Sequence, residues 1–111
     1  MTVPLEQNKK LTVIYRLEPG CLGPQGLNHI DHFCYFAQEK VQSIDSDIII
    51  WKVLPRNDKL LPEMEYKLNN KKLSREKTDR FLNIFDKQIE TFEESSHEEI
   101  AELIEMYFEN N

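Results

Sequence analysis

The chain has 111 residues, 40 % of them apolar and 31 % charged, with 3 Gly and 5 Pro. That length suits one hydrophobic core rather than two, and the composition argues for a folded chain rather than disorder or low complexity. A net charge of −6 disfavours general binding to nucleic acid or anionic membranes, both of which depend on clustered Lys and Arg.

Residues 1–10 hold no apolar stretch that could form a signal-peptide core, and no unbroken apolar run in the chain exceeds five residues. Neither secretion nor membrane insertion is expected, and residues 1–9 read as a flexible segment preceding a single domain. Two cysteines, Cys21 and Cys34, are too few for a disulfide framework and are expected to be reduced thiols of a cytoplasmic protein. Small size and composition suggest the bacterial cytosol.

Leu11, Val13, Tyr15 and Leu17 alternate with Thr12, Ile14, Arg16 and Glu18, the period-two pattern of a strand with one mainly buried face. The segment 19–26 follows, holding all three glycines and two prolines, and reads as a loop. Asn28 is the expected N-cap of a helix reaching about Ser43, with Ile30, Phe33, Cys34, Ala37, Val41 and Ile44 as its buried stripe.

Residues 48–54 are apolar on both alternating faces, which predicts a central strand covered on each side. After a loop over 55–62, Met64, Tyr66 and Leu68 alternate with charged residues in a third strand, and Asn69-Asn70 signals a turn. Ser74 can cap a second helix with a stripe of Phe81, Leu82, Phe85, Ile89 and Phe92. A break is expected at Ser95-Ser96, and Ser96 with Glu99 forms a capping box for a third helix whose stripe is Ile100, Leu103, Ile104, Tyr107 and Phe108.

The predicted order is β-α-β-β-α-α, an α+β fold with a small three-stranded mixed sheet packed with helices. The first two strands are expected to be parallel and the second and third antiparallel. Phe33, Ile50, Phe85 and Leu103 are predicted core positions. A central strand apolar on both faces in so narrow a sheet favours association with a second copy.

Candidate chemistry is sparse. Gly20, Gly23 and Gly26 give G-x-x-G-x-x-G ahead of a helix, which could offer amides to a phosphate, but the spacing departs from the dinucleotide fingerprint and Pro24 removes an amide. Cys21, in the same loop, could be activated near a helix N-terminus. His29 and His32 lie three apart and could approach one ion with Cys21, although a fourth ligand is missing. Residues 97–101 begin like the zinc-protease motif H-E-x-x-H, but Ala101 stands where the second histidine must be.

Cys21, His29 and His32 are therefore the candidate catalytic residues, and no cofactor or metal is expected. The helix wheel sets His29, His32, Tyr35 and Phe36 apart from the core stripe as a candidate interaction surface, with Phe36 expected to cover a loop such as Leu60-Leu61. Charge is uneven: residues 52–80 hold nine basic side chains against five acidic, whereas residues 86–111 hold one basic and nine acidic. The leading expectation is a non-enzymatic interaction or adaptor module, possibly a homodimer. Its alternatives are a small enzyme or redox or metal protein using Cys21 with His29 or His32, and a phosphate-ligand binder using the 20–26 loop.

Overall fold

The structure, a computed structural model, describes residues 4–109. The fold is α+β with four strands in one mixed sheet and three α-helices, and by packing the chain divides into two compact units that part between Lys72 and Leu73. Among the described residues no helix is long and apolar enough to cross a membrane. Of the expected flexible segment 1–9, residues 1–3 lie outside the described residues. Gln7–Lys9 forms a 3-10 turn, and the Leu5 amide donates to the Asp47 carbonyl at 2.9 Å.

The first unit carries β1 (Leu11–Leu17), α1 (Gly26–Val41), β2 (Ile49–Pro55), β3 (Met64–Leu68) and β4 (Lys71–Lys72). The sheet order is β2-β1-β3-β4, so the three-strand expectation gains a short fourth strand. Asn69 and Asn70 supply it: with φ of 53° and 65° both adopt the left-handed conformation that a two-residue type I′ hairpin requires, and Leu68 then faces Lys71.

β1 and β2 are parallel, as expected, with Leu11 opposite Ile49 and Leu17 opposite Pro55. The expected β2–β3 antiparallel pair is not formed. β3 instead lies antiparallel to β1, with Val13 opposite Tyr66. The centre of the sheet is therefore β1, and the strand predicted to be central is an edge.

β1 is buried on both faces: Leu11, Val13, Tyr15 and Leu17 on one, Ile14 and Arg16 on the other. Arg16 is buried because its charge is matched. Its guanidinium reaches Glu65 at 3.0 Å, both side chains being 11 % exposed, and also donates to the Pro62 carbonyl at 2.9 Å.

β2 buries Ile49, Trp51 and Val53 but exposes Lys52 and Leu54, with Ile50 half-buried. The strand 48–54, expected to be covered on both faces, is thus covered on one, and its other face leaves Ile50 half-buried and Leu54 42 % exposed. The outer edge of β2 is closed by a side chain. Gln38 of α1 donates to the Trp51 carbonyl at 2.9 Å and accepts from the Val53 amide at 2.8 Å, standing in for the backbone of a missing neighbour strand.

α1 begins two residues before Asn28. Gln25 is the N-cap, without a side-chain cap bond, and Asn28 donates its side-chain amide to Gln25 Oε1 at 3.0 Å. Its buried stripe, Ile30, Phe33, Cys34, Ala37 and Val41, follows the three- and four-residue spacing of the sequence, with Ile44 half-buried beyond the helix end.

In the second unit α2 (Arg75–Ile84) is capped as expected: Ser74 accepts from the Lys77 amide at 3.2 Å, and fully buried Thr78 donates to the Ser74 carbonyl at 2.8 Å. The predicted break at Ser95-Ser96 is absent. The chain turns at residues 85–88 instead, where Asp86 has φ of 61° and the Lys87 amide returns to the Leu82 carbonyl.

α3 (Ile89–Glu109) then runs unbroken. Its first residue is held by Asp79 of α2, which accepts from the Ile89 amide at 3.0 Å. Ser96 sits inside the helix, where its hydroxyl donates to the Phe92 carbonyl at 2.8 Å, so its oxygen is used within the helix rather than in a capping box. Of the four predicted core positions Phe33 and Leu103 are buried. Ile50 and Phe85 are half-buried, because one lies on the outer face of an edge strand and the other at the turn after α2.

Candidate interaction surface

β1 and β2 run parallel and α1 runs back between them, so the ends of both strands and the start of α1 gather at one end of the first unit. In open α/β sheets this end is where ligands bind. β1 leaves through Glu18 into a 3-10 turn, Pro19–Leu22, and two glycines carry the chain from there into α1. Gly23 has φ of 90° and ψ of −171°, a region essentially restricted to glycine. At Gly26 a Cβ would stand 1.7 Å from the Pro19 carbonyl oxygen, so the start of α1 lies directly against that turn.

β2 leaves into the loop 56–63, which is fixed by two arginines. Arg56 donates to Glu18 Oε1 at 2.7 Å and to the carbonyls of Leu61 and Lys59 at 3.0 Å each. Arg16 holds the Pro62 carbonyl from the other side. Asp58 accepts from the Leu60 amide at 2.9 Å, closing the apex. The loop so fastened presents Leu60 at 92 % exposure with Leu61 partly exposed beside it, and Leu27 of α1, at the same end, is 81 % exposed.

Cys21 lies exposed in the 3-10 turn, and Cys34 is buried; both are free thiols. Three amides of the glycine loop are occupied by the chain itself: Cys21 donates to Glu18, Gly23 to Gly20 and Gly26 to Gly23. A phosphate held by those three would have to displace these bonds. His29 is half-buried and His32 exposed, and among the described residues no three His, Cys, Asp or Glu side chains converge to hold a metal ion, so Cys21, His29 and His32 do not form the cluster their spacing allowed.

Tyr35 is 71 % exposed. The Phe36 ring lies 6.3 Å from that of Phe33, with the Lys40 ammonium 5.6 Å above it, whereas the loop leucine expected beneath it, Leu60, stands in solvent. Two buried groups are perturbed. The Tyr15 phenol is pushed well above its usual range by burial, and the negative charges of Glu63 and Cys21 add to this. The Cys34 thiol is pushed up to about 11, again chiefly by burial, with Asp31 adding.

Arg56 and Gln38 were not singled out from sequence, and Leu60 entered only as a loop residue that Phe36 would cover. Arg56 and Gln38 look like ordinary surface residues until their backbone partners, 3 to 5 and 13 to 15 positions away, are in place. No family model, no curated protein and no solved structure matches the chain.

Proposed function

We propose that residues 1–111 act as a non-enzymatic protein-interaction module that engages a partner protein through the end of the sheet carrying Leu60. The supporting observation is a leucine at 92 % exposure on a loop that Arg56 fastens at three points. An exposed leucine on a mobile loop loses much of its burial energy to ordering the loop. Here the loop is already ordered, so the energy of burying the side chain in a partner's apolar pocket goes into affinity. Leu61 and Leu27 widen the contact, and the outer side of α1, with His29, His32, Tyr35 and Phe36, continues it. The two unbridged thiols fit a reducing compartment, and the reading keeps the cytoplasm as the location.

The test is affinity capture from the native host with the wild-type chain and a Leu60→Asp variant side by side. The variant should melt within about 0.5 kcal/mol of the wild type, because the side chain it changes is almost wholly in solvent. It should lose a stoichiometric partner that the wild type retains. Equal recovery of the same partner by both proteins would refute the role of Leu60.

A further inference from the structure

We draw no further inference here: the strongest candidate, the polar cavity at the turn between α2 and α3 lined by Asp79, Asn83, Gln88, Ile89 and Glu90, is an acidic cluster at a helix N-terminus whose Asp79 carboxylate already accepts from the Ile89 amide, and nothing among the described residues points to a ligand there.

Discussion

The three glycines between β1 and α1 are identical in sequence terms and should differ sharply when each is replaced by alanine. At Gly26 the new Cβ would lie 1.7 Å from the Pro19 carbonyl oxygen and 2.6 Å from its carbon, both inside the 3.0 Å that real Cβ atoms keep. The obstacle is backbone, so no rotamer change relieves it, and the turn must move by more than an ångström. Overpacking costs about 1–3 kcal/mol where side chains can adjust and more where they cannot, while Gly→Ala in a helix returns only about 0.5–1 kcal/mol.

A net loss of about 3 kcal/mol is therefore expected for Gly26→Ala. Gly23→Ala meets nothing within 4 Å but must hold φ of 90° and ψ of −171°, which costs about 1–3 kcal/mol. Gly20→Ala also meets nothing within 4 Å and has no such backbone demand, so it should stay within about 0.5 kcal/mol of wild type. Urea unfolding followed by the fluorescence of Trp51, the only tryptophan, gives all three values. A Gly26→Ala protein as stable as the wild type would show that α1 does not start against the Pro19 turn.

Gln38→Ala should cost about 2 kcal/mol and promote aggregation on heating, because the Trp51 carbonyl and Val53 amide then form an open sheet edge; unchanged melting and turbidity would argue against the side-chain closure. Ser74→Ala should cost about 1 kcal/mol and Asp79→Ala about 0.5–2 kcal/mol as lost helix caps, whereas Ser96→Ala should be nearly neutral. A cost at Ser96 equal to that at Ser74 would favour the capping box over the continuous helix. Stability should also fall in alkali. Cys34 ionises near 9.0 in the unfolded chain but at about 11 when folded, so its contribution is complete below pH 9 and is lost as pH rises through 11. Buried Tyr15 acts in the same direction. Chemical denaturation at pH 8 and pH 11 should show this fall, smaller in Cys34→Ala, and a pH-independent midpoint would contradict it.

Local signals in the sequence were enough for most of the elements. The alternation from Leu11 to Leu17, the three- and four-residue spacing from Ile30 to Val41, the Asn-Asn turn and the Ser74 cap each act within a few residues, and each is where the pattern puts it. The order of the strands was not legible. Residues 48–54 and 11–17 are both rich in β-branched and aliphatic residues, and which is central depends on where β3 pairs, a contact made about 50 positions from β1. The helix boundary was missed for a related reason: Ser95-Ser96 breaks a helix only if the serine oxygens cap it, and the backbone used Asp79, ten residues before Ile89, as the cap instead. Arg16 read as the polar face of its strand until Glu65 and the Pro62 carbonyl met it, and Leu60 read as a loop residue covered by Phe36 until Arg56 fixed the loop that holds it in solvent. Periodicity and turn chemistry are local and were decided by the sequence. Pairing order, the burial of a charge and the exposure of an anchor depend on groups brought together only by folding, and the tertiary structure decided those.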